Sequence, residues 1–197
     1  MNIPVIYEDN YLLVVDKPSG LLTVPTPKNE KRTLTSILGF YPCHRLDRGT
    51  SGLIIYAKDR TIQRKMAEVF KHRQVKKSYI ALINGIPCKE SGVIEKSIEN
   101  LFAQTSYKIL EKRQGFAVVE ARPFTGRTNQ IRIHFKSLGH PILGEDRYAF
   151  RKDFKIRAKR LMLHANSLEF AHPLTGKVLK FEIGLPQDML NFLENHA

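Results

Sequence analysis

Residues 44–57 read His44-Arg45-Leu46-Asp47-Arg48-Gly49-Thr50-Ser51-Gly52-Leu53-Ile54-Ile55-Tyr56-Ala57. The first half is polar and charged, and the second is an unbroken apolar run. A short apolar run rich in β-branched residues predicts a buried core strand over 52–57. The polar half therefore forms a loop at the entrance to a core strand. In that loop one carboxylate, Asp47, stands close to two guanidinium groups, Arg45 and Arg48, whose charge favours its ionised form. An ionised carboxylate in such a setting is a nucleophile in kind. The same composition also describes a surface ion-pair loop, and local sequence alone leaves both readings open. A hydrolase triad of His44, Asp47 and Ser51 is a poor fit. Triad members usually come from separate parts of a fold, and no G-x-S-x-G elbow is present. A retaining glycosidase would need a second carboxylate about 5 Å from the first, and the sequence offers no obvious partner motif for Asp47.

The flanking sequence extends the same pattern. Residues 11–16 (YLLVVD) predict a buried strand, broken by the turn chemistry of Lys17-Pro18-Ser19-Gly20. Residues 21–25 predict a second short strand, and 25–31 an exposed loop. Asp59 is a candidate N-cap for a helix whose Ile62, Met66, Val69 and Phe70 share one face, with Arg64, Lys65 and Lys71 on the others. Strand character returns over 74–84, then over 104–110 and 116–122, the last two joined around Gln114-Gly115. Thr128 is the expected cap of a helix to Leu138 whose Ile131, His134, Phe135 and Leu138 share one face, with Gly139 as its stop. Strands over 161–171 and 177–183 and a closing helix over 187–194 complete the reading. Many strands with few intervening helices predict an α+β fold with a mixed, mainly antiparallel sheet flanked by helices and loops.

Composition narrows the function. The chain has 197 residues, 42% of them hydrophobic, enough for one domain with a sizeable core and compatible with two small lobes. There are 32 Lys and Arg against 19 Asp and Glu, a formal net charge of +13. Such a surplus favours encounter with a polyanion, RNA or DNA. No run approaches the roughly 18 apolar residues of a membrane span, and the N-terminus does not read as a signal peptide. The expected setting is therefore aqueous and intracellular, the cytoplasm. Cys43 and Cys88 form no C-x-x-C pair, and no H-E-x-x-H occurs, so neither a disulfide framework nor a metal site is expected. The absence of G-x-G-x-x-G and of a Walker A sequence argues against a nucleotide cofactor.

The stretch 44–53 resembles the H-R-L-D-x-x-T-S-G signature of RluA-type pseudouridine synthases, and further segments match in order. Residues 16–22 (DKPSGLL) are similar to the family's K-P-x-G segment. Residues 76–81 (KKSYIA) resemble K-x-Y-x-A, and 123–134 (PFTGRTNQIRIH) resemble G-R-T-H-Q-I-R-x-H. Residues 138–146 (LGHPILGED) and 163–165 (LHA) complete a series that covers most of the chain. The resemblance implies the pseudouridine synthase catalytic fold with a central active-site cleft. It implies a single catalytic domain over 1–197 without the accessory N-terminal RNA-binding domain of some relatives, acting as a monomer. The implied reaction breaks the glycosidic bond of a uridine within RNA, turns the base and rejoins it to the ribose through carbon-5, with no cofactor and no metal.

By the same resemblance, Asp47 matches the catalytic aspartate, with attack on ribose, attack on uracil and removal of a ribose proton all open. Tyr79 matches the tyrosine that stacks on uracil, although a half-buried strand tyrosine would look the same. Arg127 matches the arginine that pairs with the aspartate, and Ile131 the hydrophobic residue packed against the base. Arg45 matches an arginine that fills the space left by a flipped nucleotide. Base flipping is required because a stacked uridine hides its glycosidic bond. Arg48, Arg132, Lys76 and Lys77 are candidate phosphate contacts or plain surface charge. Asn129 stands where the family usually has His, and Gly49 where Asp is common. The expected substrate is a stem-loop of tRNA or rRNA. An RNA-binding or folding module with secondary or lost catalysis is the alternative.

Overall fold

The computed structural model describes residues 2–27, 30–150, 152, 154 and 156–196; of the loop expected over 25–31, Lys28 and Asn29 lie outside the described residues. The chain begins with β1 (Val5–Glu8) and β2 (Leu12–Lys17), followed by α1 (Leu34–Leu38) and β3 (Tyr41–Pro42). Next comes β4 (Ser51–Ala57), buried at every residue as its apolar run requires. β2 pairs antiparallel with β4, from Leu12 opposite Ala57 to Lys17 opposite Gly52. β1 adds to β2 and β3 to β4. Helix α2 (Arg60–Lys71) starts where Asp59 accepts the Ile62 N–H at 2.8 Å, and it buries Ile62 and Met66. Each buried aliphatic side chain of this kind contributes about 1.5–3 kcal/mol.

Contacts divide the chain into two compact units, 1–76 with 165–183 and 77–164 with 184–197. The first unit holds the elements above, the later part of a long strand that begins at residue 163, and a strand over 178–182. Its core joins Leu12, Leu53, Ile55, Met66 and Phe170. Gly52 has φ +113°, and a Cβ there would stand 2.2 Å from the Ala165 carbonyl oxygen, so backbone passes backbone with no room for a side chain. The strand expected over 21–25 does not form. The Leu22 and Thr23 carbonyls instead accept the Leu34 and Thr35 N–H groups at 2.7 and 3.0 Å, serving the first turn of α1 rather than a ladder.

The second unit contains β5 (Lys76–Asn84, from Lys77 onward), β6 (Ser91–Glu95), β7 (Gln104–Arg113) and β8 (Phe116–Pro123) in the order β5-β8-β7-β6. All three pairings are antiparallel. Helix α3 (Gln130–Ser137) buries Ile131, His134 and Phe135, whereas Leu138, expected on the same face, is the C-cap and is exposed. Strand β9 (Leu163–Ala171) starts in this unit and runs on into the first, where β10 (Val178–Glu182) pairs with it. Helix α4 (Gln187–Glu194) closes the chain and buries Met189 and Phe192. The whole is α+β, as expected. Among the described residues no helix is long and apolar enough to cross a membrane. The cap of α3 differs from expectation. It is Asn129 rather than Thr128, in the left-handed region at φ 55°, a conformation that Asn tolerates better than Thr.

His164 of the L-H-A segment is fully buried. Burial, reinforced by the Arg160 cation, pushes its imidazole down to about 4. An unfolded histidine titrates near 6.5. As pH falls from about 6.5 to about 4, the unfolded chain takes up the proton first, so stability drops through that window and levels off below it. The expected loss across the window is about 3 kcal/mol. Thermal melts at pH 7 and pH 5 check it. His164→Gln is expected to flatten the pH dependence even though its stability at pH 7 is lower.

Candidate active site

Asp47 is half-buried in the loop between β3 and β4, with Arg45 exposed beside it. The loop is braced from outside itself, by residues 17–23. Lys17 is fully buried, and its ammonium donates to the carbonyls of Pro18 (3.0 Å), Leu21 (2.7 Å) and Arg48 (3.4 Å). The Gly20 N–H reaches the same Arg48 carbonyl at 2.8 Å, and Ser19 Oγ donates to the Gly49 carbonyl at 2.7 Å. Thr23 Oγ1 donates to the Leu46 carbonyl at 2.9 Å and accepts the Leu46 N–H at 3.2 Å. The backbone is thus held on both sides of Asp47. Its own carbonyl accepts the Thr50 N–H at 3.1 Å in a tight turn. His44 Nε2 accepts the Ile55 N–H at 3.1 Å, and its ring lies 4.9 Å from that of Phe70, which commits that nitrogen to the fold.

The K-P-S-G segment is therefore the support of the Asp47 loop. Sequence reasoning saw there a turn and a family match, with no role for the lysine. The available signal was a lysine ending a buried run. Lys17→Met keeps the stem length but leaves buried carbonyls without their donor, a change costing about 2 kcal/mol or more. Urea denaturation is expected to show that loss, and the catalytic rate is expected to fall further than RNA affinity does.

Tyr79, Arg127 and Ile131 lie in the second unit. Tyr79 sits half-buried on β5 opposite Ala121, packed against the same apolar cluster that contains Ile131. Arg127 is half-buried, and its Nε donates to the Phe102 carbonyl at 3.2 Å. Its loop is organised by Gln130, which the sequence reading had not singled out. Gln130 Oε1 accepts from Thr125 Oγ1 (2.7 Å) and from the Arg127 N–H (3.0 Å). Its Nε2 donates to the Gln104 carbonyl and to Thr105 Oγ1, both at 2.9 Å. One buried amide thereby ties the Arg127 turn to the start of β7. His134, one helical turn on, bonds Thr105 Oγ1 at 2.9 Å and the Lys96 carbonyl at 3.1 Å.

The candidate phosphate contacts separate on inspection. Arg132 is buried rather than surface charge. It makes a two-pronged pair with Glu145, at 2.7 and 2.6 Å, and reaches Asn129 Oδ1 at 3.0 Å. These bonds hold the Glu145 carboxyl below its usual range against the opposing effect of burial. Arg48 remains exposed with Nε on the Gly20 carbonyl at 3.0 Å, and Lys76 pairs with Glu169 at 2.6 Å in the open. Lys77 lies beside the Arg127 loop, where a Cβ on Gly126 would stand 3.8 Å from Nζ, and burial lowers its ammonium pKa. Of the family departures, Asn129 has a clear local role. Its Nδ2 donates to the Tyr148 hydroxyl at 2.8 Å while its Oδ1 takes Arg132, and its backbone takes the left-handed turn.

The family model of RNA pseudouridylate synthases matches residues 11–137. The chain belongs to that family. It is 35% identical over 200 residues to the dual-specificity RNA pseudouridine synthase RluA of Yersinia pestis, covering 90% of this chain and 97% of that protein. Among solved structures, human RNA pseudouridylate synthase domain containing 1 aligns with a TM-score of 0.78 at 26% identity, over 94% of this chain and 84% of that one. Human RNA pseudouridylate synthase domain containing 4 shares the fold, with a TM-score of 0.83 at 24% identity over 97% of this chain and 92% of that one. As a family member the chain is an isomerase that converts uridine in RNA to pseudouridine.

Proposed function

We propose that this enzyme isomerises a uridine in a tRNA or rRNA stem-loop, with Asp47 as the catalytic nucleophile. The observation that carries the reading is the bracing of the Asp47 loop on both flanks by the buried Lys17 and Thr23. A catalytic carboxylate must be fixed before substrate arrives, and a surface ion-pair loop has no use for such support. The target uridine is flipped from its stack, and Arg45 occupies the space it leaves. Tyr79 stacks on the freed base, Ile131 packs against it, and Arg127 pairs with the Asp47 carboxylate. The reaction neither gains nor loses atoms, and the family resemblance implies that it needs no cofactor or metal. Loop bases are the usual targets of RNA recognition, and the dual-specificity relative is the reason to test more than one RNA class. The enzyme acts as a monomer in the cytoplasm.

The test maps pseudouridine in RNA from cells with and without the gene, and in total RNA incubated with the purified protein. The reading expects at least one site that depends on the gene and is restored in vitro. A complete absence of new pseudouridine, with RNA binding retained, would favour the binding or folding module instead.

A further inference from the structure

Residues 147–160 (RYAFRKDFKIRAKR) carry seven Lys or Arg and a single acid, a concentration of charge that accounts for much of the net +13. The described residues of this segment sort themselves by side. Phe154, Ile156 and Ala158 pack against the core of the second unit, with Ile156 against Gly115. Arg157 and Lys159 alternate with them and are exposed, as are Arg147 and Lys152. Arg160 is taken up by Asp188, at 2.7 and 2.8 Å. Phe150 is 73% exposed, with Lys152 Nζ 5.8 Å from its ring centre. The segment is moored at its start to the turn that carries Arg127. The Tyr148 hydroxyl accepts from Asn129, and the Arg132 guanidinium lies 5.3 Å over the Tyr148 ring. Apolar residues thus anchor the strip, while Arg147, Lys152, Arg157, Lys159 and the Phe150 ring face water.

We infer that this strip grips the phosphate backbone of the substrate RNA flanking the target uridine, with Phe150 stacking on an unpaired base. The inference rests on the proposed function for its ligand. Four outward cations among the described residues complement a polyanion, and an exposed ring beside a cation suits a base flanked by phosphates. The Asn129–Tyr148 bond gives the departure from the family pattern a purpose, since it ties this surface to the segment that follows Arg127.

The test measures affinity for an unmodified, transcribed tRNA pool across a salt series. The variant carries Arg147→Gln, Lys152→Gln, Arg157→Gln and Lys159→Gln. The control removes the same charge from around α2, with Arg64→Gln, Lys65→Gln, Lys71→Gln and Arg73→Gln. Each lost phosphate contact lowers the slope of log affinity against log salt by roughly 0.7–0.9. The strip variant is expected to lose about 3 from the slope and the control less than about 1. Phe150→Ala is expected to weaken binding about tenfold with the slope unchanged. The single changes Arg157→Gln and Lys159→Gln should each lower the slope by nearly one, which guards against a misfolded quadruple variant. Equal slopes for strip and control, or an unchanged slope in the strip variant, overturn the inference. The slope is read whether or not the RNA is modified. A wild type that makes no pseudouridine therefore counts against the proposed function, and an unaffected slope counts against the strip alone.

Discussion

Asp47→Asn is expected to abolish pseudouridine formation, by at least roughly a thousandfold in single-turnover rate, while RNA affinity stays within about threefold. Asparagine keeps the size and shape of the side chain but cannot serve as an anionic nucleophile. The brace around the loop runs through the backbone carbonyls and N–H groups of residues 46, 48 and 49, none of which changes in the variant. The fold should therefore survive, and a circular dichroism melt close to that of the wild type makes the rate interpretable. The measurement is tritium release or direct mapping with enzyme in excess over RNA. Normal turnover would remove Asp47 from the chemistry.

Gly52→Ala is expected to be among the most damaging substitutions in the chain although it adds one methyl group. The added carbon would stand 2.2 Å from the Ala165 carbonyl oxygen, 2.6 Å from its nitrogen and 2.8 Å from its carbonyl carbon, at φ +113°. All three are backbone atoms, so no rotamer change relieves the clash. Two strands would have to separate in the most buried part of the first unit. A cost of about 4 kcal/mol or more is expected, a large part of the roughly 5–15 kcal/mol that holds a domain folded. The melting temperature should fall by about 10 °C or more, or the protein should become insoluble. Gly139→Ala is the matched control. Its φ of +86° is just as unfavourable for alanine, but nothing lies within 4 Å of the new carbon. The control should cost only about 1 kcal/mol. Similar losses in the two variants would show that backbone conformation, rather than the close approach, governs Gly52.

Much of the fold was legible because burial follows short-range periodicity. The face of α2 was readable from Ile62 and Met66, and β4 from six consecutive apolar or small residues. What escaped depends on partners distant in sequence. β1 is a four-residue edge strand that is mostly exposed, so no apolar pattern announces it. α1 has only five residues, and it is set by a reciprocal Thr33–Ser36 cap and by carbonyls of residues 22 and 23, which themselves looked like strand. Arg132 read as a phosphate contact because its partner Glu145 lies thirteen residues further on, and only the fold reveals that the pair is buried. In the site the same division holds. The residues offered for chemistry were recognisable through motif matches, whereas the supports, Lys17, Thr23 and Gln130, are polar groups whose task is to bond the backbone. Their types alone do not distinguish them from surface residues.

Neither compact unit is continuous along the chain. The first needs residues 165–183 as well as 1–76, and the seat of Gly52 is the backbone of Ala165. During synthesis a ribosome therefore releases the Asp47 loop more than a hundred residues before the strand that closes the sheet behind it. A nascent chain paused after residue 164 would carry every residue assigned here to chemistry, yet it would lack the strand against which β4 is seated. Competence should then arrive late and abruptly in translation, only once residues 165–183 have emerged.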